Sequence, residues 1–186
     1  MRVKGRTGAL LTALCCLLLL AAGRTNAVTG ATVPISAELG TNIAGDLFPV
    51  TIKLSQGNLF LTEPALLFLD PQRVGMRVRF QAYDHRPQLG IAVSEMGSAQ
   101  LSGALGYDPV NRQILLLDPR IDKIEFDGNN DATRRFLAEM QAAWAAQVTN
   151  PLRSVLPPHP YLLPIRNNIQ DLSYDGKNIV LTLAYE

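Results

Sequence analysis

From Thr51 to Phe126 apolar residues recur at every second position, and no other feature restricts the fold as tightly. Val74, Met76, Val78, Phe80 and Ala82 share one face of a strand, and Arg73, Arg77, Arg79, Gln81 and Tyr83 share the other. Ala99, Leu101, Gly103, Leu105 and Tyr107 form a second apolar face, opposite Gln100, Ser102, Ala104 and Gly106. Successive side chains of a strand point to opposite sides, so this alternation predicts an antiparallel sheet with one wet face. The runs Leu59 to Leu61, Ala65 to Leu69 and Ile114 to Leu117 are more continuously apolar and predict strands covered more fully. Asp70-Pro71, Asp108-Pro109, Asp118-Pro119 and Asp127-Gly128 punctuate the region as turns. Gly97, Gly103 and Gly106 suit strand bends, where a missing side chain permits curvature.

Helical spacing flanks the sheet region. Ile35, Leu39, Ile43 and Leu47 recur every four residues, predicting a short amphipathic helix with Ser36 as N-cap and an end at Phe48-Pro49. A longer helix follows Asn130 or Asp131, either of which can cap it. Its ridge is Phe136, Met140, Trp144 and Val148, with Leu137 and Ala143 beside them. Leu152, Val155 and Leu156 extend that ridge if the helix resumes beyond Pro151, and Pro157-Pro158-His159-Pro160 stops it. A hairpin closes the chain: Ile169 to Tyr174, a turn at Asp175-Gly176, then Ile179, Leu181, Leu183 and Tyr185. The order predicts an α+β fold: a strongly curved antiparallel sheet wrapped around one long helix, with a short N-terminal amphipathic helix.

The start of the chain bears on where it works. Arg2, Lys4 and Arg6 precede an uncharged stretch from Thr7 to Gly23 that is too short for a comfortable bilayer span. This is the pattern of a secretory signal peptide over residues 1–27, with cleavage after Ala27 or, as a second candidate, within Ala21-Ala22-Gly23. An uncleaved leader acting as a membrane anchor is the alternative. Cys15 and Cys16 lie inside the apolar run with four leucines after them, a placement that argues against a lipid-attachment cysteine. Cleavage after Ala27 leaves one domain, residues 28–186, without cysteine and therefore without disulfide, thiol nucleophile or thiolate metal site. The remaining 13 basic and 16 acidic residues are spread along the chain, which speaks against a nucleic-acid partner.

No catalytic constellation stands out. His85 reads as part of a polar turn, Tyr83-Asp84-His85-Arg86-Pro87, and His159 lies among prolines; no Gly-x-Ser-x-Gly elbow accompanies either. The acidic residues Asp118, Asp122, Glu125, Asp127 and Asp131 lack the spacing and closing glutamate of a calcium loop, and read as a turn followed by a helix N-terminus. The expectation is a protein that is not an enzyme and has no metal and no cofactor. The ridge of the long helix is ordinarily core. Small residues facing it, Ala99 and Gly103, would leave room for a ligand instead.

Several segments, in this order, carry a family resemblance: the amphipathic helix closing on Leu47-Phe48-Pro49, Arg73-Val74, Ser102 to Asp108, Leu115 to Ile121, the long helix, Pro160 to Leu163, and the final hairpin. With them the chain resembles the YceB-like bacterial envelope proteins, a family filed as a domain of unknown function. The resemblance implies a fold like that of the tubular lipid-binding proteins, with an apolar groove between helix and sheet. Groove candidates are Leu39, Ile43, Val78, Phe80, Leu101, Gly103, Leu105, Phe136, Met140, Trp144 and Val148. The expected function is a soluble periplasmic binder or carrier of lipid or another apolar molecule, with transient membrane contact. The alternatives are an envelope protein–protein interaction module with a filled core, and a hydrolase with an unfamiliar site.

Overall fold

The computed structural model describes residues 30–86 and 91–184, the side chains of 85, 86, 91 and 92 excepted. The elements in chain order are β1 (Ala31–Ile35), α1 (Ala37–Gly45), β2 (Val50–Lys53), β3 (Gly57–Asp70), β4 (Arg73–Arg86), β5 (Ile91–Asp108), β6 (Gln113–Phe126), α2 (Asp131–Gln147), β7 (Leu152–Val155), β8 (Ile169–Tyr174) and β9 (Ile179–Leu183), with one 3₁₀ turn at Arg166–Asn168. Six strands form an antiparallel sheet in sequence order, β2 to β7, curved into a half-barrel. A second, three-stranded sheet has the order β1-β9-β8. The α+β class is as expected. Among the described residues no helix is long and apolar enough to cross a membrane.

The alternation read from the sequence places the sheet's two faces correctly. Val74 pairs with Gly103, Met76 with Leu101, Val78 with Ala99 and Phe80 with Gly97, all on the concave side. The curvature has a local origin in extra residues inserted along two strands. The register between β3 and β4 shifts between Thr62 and Ala65, and that between β5 and β6 shifts on both sides of Leu101 and Ser102. An extra residue bends the bulged strand and increases its twist. Glu63 and Asp118 take the left-handed backbone there, with φ of 49° and 47°.

The concave face is filled by two cores, not by one long helix. At one end α2 lays Phe136 and Met140 on Leu59, Leu61, Val78, Phe80, Ala82 and Ala99. At the other end the small sheet and α1 cover Val74, Leu66, Phe68, Leu105, Tyr107, Ile114 and Leu116 with Ile35, Ile43, Ile169, Leu172, Ile179, Leu181 and Leu183. The expected single helix spanning the sheet is therefore corrected. α2 has 17 residues, about 25 Å at 1.5 Å per residue. It does not resume after Pro151: Leu152–Val155 is β7, paired with the start of β6. Proline in the following position pushes Asn150 out of helical geometry. Leu156 is buried in the first core and is not part of the helix ridge.

Other local expectations stand with changed bounds. Ser36 caps α1, its side chain accepting from Leu39 N–H at 3.2 Å, but the helix ends at Gly45 and not at Phe48-Pro49. Asn130 and Thr133 form a reciprocal capping box at the start of α2. The hairpin β8–β9 turns at Asp175, with Gly176 at φ 91°, and buries Ile179, Leu181 and Leu183; Tyr185 lies outside the described residues. The apolar runs Ala65 to Leu69 and Ile114 to Leu117 are not fully covered. Their residues alternate, Leu66, Phe68, Ile114 and Leu116 pointing into the first core while Leu69 and Leu117 are exposed on the convex side.

Candidate functional site

The ridge of α2 divides according to what the sheet offers beneath it. Phe136 and Met140 are buried, 1% and 7% exposed. One and two turns further on, Trp144 and Val148 are only half-buried. They line a cleft of about 310 Å³ together with Ala145, Thr149, Asn150 and, from β6, Asp118, Pro119 and Arg120. The cleft exists because β7 pairs with β6 only over Gln113 to Leu116. From Leu117 onward β6 has a strand partner on one side alone, and the end of α2 stands over that open edge.

Hydrogen bonds fix both walls. Asn150 Nδ2 donates to Asp118 Oδ1 at 2.7 Å, and Asp118 N–H donates to Asn150 Oδ1 at 3.0 Å. Arg73 Nη2 donates to the Asp118 carbonyl at 3.2 Å and to Ser102 Oγ at 3.0 Å, while Ser102 Oγ donates to Asp122 Oδ1 at 3.0 Å. This network pins the irregular stretch of β5 and β6 from the convex side. On the opposite rim of the half-barrel, Gln147 Nε2 donates to the carbonyl of Lys53 at 3.2 Å. The last turn of α2 thus spans from β2 to β6. Its first turns are held by the ion pair of Arg135 with the buried Asp84, 3.1 Å, and by Asn130 donating to Glu95 at 2.8 Å. Asp84 continues the inward parity of β4, the same positions as Val74 to Ala82, so the polar turn expected at 83–87 is in fact the end of a strand as far as Arg86.

The expected groove residues do not line one channel. Leu39, Ile43 and Leu105 belong to the first core, and Val78, Phe80, Phe136 and Met140 to the second. Leu101 lies between the two cores, half-buried and paired with Met76 and Ile121. Gly103 faces Leu116, and an added Cβ would lie 2.8 Å from both Leu116 Cδ1 and the Leu117 carbonyl. The small residue there admits a leucine, not a ligand. Trp144 and Val148 alone of that set reach the cleft. Asp118, Pro119, Arg120 and Asn150 went unrecognised because Asp-Pro reads as a turn, whereas here it is a bulge inside a strand.

The acidic residues are engaged separately. Asp127 receives two hydrogen bonds from Arg79, at 3.1 and 2.6 Å, Glu125 pairs with Lys123 at 2.7 Å, and Asp131 pairs with Arg134. The hydrogen bond from Arg79 holds the Asp127 carboxyl below its ordinary value. Asp108 is lowered likewise by the side-chain amide of Asn111, and Asp175 by the main-chain N–H of Asn178. Burial pushes the Tyr107 phenol up. His159 Nδ1 accepts from Tyr161 N–H at 3.2 Å; the His85 side chain lies outside the described residues. A smaller cavity, about 250 Å³, opens at the β3 bulge among Glu63, Ala65, Arg77, Val78, Arg79 and Ser98. No family model and no curated protein matches the chain.

Proposed function

We propose that the protein is a YceB-like, non-enzymatic binding protein of the bacterial envelope, exported to the periplasm and freed by cleavage after Ala27, and that it takes an apolar or amphipathic molecule in the cleft between α2 and β6. The observation carrying this reading is that Trp144 and Val148 leave the packed ridge and, with Ala145 and Pro119, form an apolar wall bordered by polar side chains. Ligand sites are concave, apolar surfaces furnished with oriented polar groups, typically ~300–1,000 Å³; this cleft lies at the small, open end of that range, with half of its lining residues polar. At about 310 Å³ the cleft suits a head group and a short apolar segment, not a whole long chain. Each methylene removed from water contributes about 0.8 kcal/mol.

Trp144 is the single tryptophan of the chain, so its emission reports directly on the cleft. Titrating the protein with a brominated fatty acid is expected to quench that emission saturably. No quenching up to about 1 mM, an affinity worth only ~4 kcal/mol, would sink the reading. Protein recovered from its native envelope and analysed by native mass spectrometry should also carry a non-covalent small molecule.

The convex face favours a second reading, a protein-interaction module. Leu69, Leu117 and Val155 are 41%, 39% and 57% exposed there. Under that reading one stoichiometric partner co-purifies with the wild type and is lost on Leu69→Glu/Leu117→Glu substitution, with quenching of Trp144 absent.

A further inference from the structure

The chemistry of the cleft's polar border narrows the ligand class, on the premise that the cleft is a ligand site. Its lining contains one cation, Arg120, and one carboxylate, Asp118. The two differ in how far they are already used. Asp118 is turned toward the α2–β7 connection: its Oδ1 accepts from Asn150 and its main chain bonds Asn150 and Arg73. Arg73 lies against the same stretch of β6, near Asp118 and, through Ser102, near Asp122, and offsets their charge. Arg120 makes no hydrogen bond and no ion pair with any described residue, and it is exposed at the mouth. Thr149 offers a hydroxyl on the facing wall, though it already donates to the Pro151 carbonyl at 3.0 Å.

The backbone of Arg120 is held within the sheet. It pairs with Ser102 across β5–β6, and Ser102 is buried and held from both sides by Arg73 and Asp122. Pro119 precedes it and also lines the cleft, its ring fixing its own φ. A guanidinium presents a planar fork of donors that matches a carboxylate or phosphate in two parallel hydrogen bonds. Arg120 shares the convex-side parity of Ser102, and Trp144, Val148 and Ala145 of the helix border the same cleft at the open edge of β6.

We propose that the cleft selects an anionic amphiphile: an acidic head group on Arg120 and the first carbons of an apolar chain against Trp144 and Val148. The remainder of a long chain would leave along the open edge of β6. Carboxylate and phosphate head groups share this recognition.

The test uses Trp144 emission with octanoate, octyl phosphate and octanol, on the full domain and on Arg120→Gln. Expected is tighter binding of one or both anions than of octanol by about tenfold or more, as a charge-assisted pair gives. Arg120→Gln should erase that preference while leaving octanol binding unchanged, and whichever anion binds more tightly identifies the head group. Equal binding of all three, untouched by Arg120→Gln, overturns the proposal and leaves the cleft a site for uncharged ligands. No response to any of the three in the wild type overturns the binding reading itself. Circular dichroism of Arg120→Gln separates either result from misfolding; a folded Arg120→Lys variant that retains the anion preference supports a charge contact, and one that loses it supports the paired fork.

Discussion

Gly103 shows how much one side chain decides. It faces Leu116 so closely that even a methyl group must displace packed atoms. Gly103→Ala is therefore expected to destabilise the fold by about 1–3 kcal/mol, the usual cost of overpacking, as read from urea unfolding. A groove at this position would predict no loss. Asp84 makes the complementary point for charge. It is 2% exposed at the side chain and bonded to Arg135, itself 34% exposed. Removing one partner of a fully buried pair costs roughly 3–5 kcal/mol. Arg135 is partly screened by water, so Arg135→Met is expected to cost about 2–3 kcal/mol. A change within ~0.5 kcal/mol, the range of ordinary surface substitutions, would mean that Asp84 is held by its other neighbours.

At the scale of elements, the sequence carries parity and caps well and carries partners poorly. The period of two places Val74 to Ala82 of β4 and Ala99 to Tyr107 of β5 on the concave face, because strand geometry leaves no other option once one face is wet, but it does not reach Asp84 or the first part of β5. Ser36 and Asn130 announced their helices because a short polar side chain satisfies otherwise unpaired N–H groups. Asn130→Ala removes the side-chain half of the box at α2, its acceptance from Thr133 N–H, and its bond to Glu95, while the main-chain N–H of residue 130 still donates to Thr133. The substitution should cost about 1–2 kcal/mol and show as lost helical ellipticity before global unfolding. Two strands were not legible. β1 and β7 are short and have no alternation of their own; each is a strand only because β9 or β6 offers an edge. The same limit hid the cleft, since Trp144 and Phe136 share one helical ridge and only the extent of the sheet below separates core from wall. Asp118-Pro119 keeps its turn-like chemistry but spends it inside a strand, where a proline and a bulge also discourage edge-to-edge association along the open part of β6.

For the molecule as a whole, surface carboxylates set the response to acid. Asp108, Asp127 and Asp175 all have folded values lowered below 3.8. A lowered carboxyl contributes stability that is complete above its unfolded value and is lost as pH falls through the folded one. Stability should therefore hold near neutrality and decline below pH 3.8. Urea midpoints measured from pH 7 to pH 2 check this, and Asp127→Asn should flatten the decline; an identical slope would show the pair with Arg79 to be immaterial. The small sheet has a further consequence, for the order of events in folding. β9 is its middle strand, so β1 has no partner until residues 179–183 are present. A nascent chain can assemble the hairpins of β3 to β6 from neighbours in sequence, a fast and local process. The first core waits for the C-terminus: the earliest strand to emerge is among the last to be satisfied, and until then Ile35, Val74 and Leu181 have no common interior.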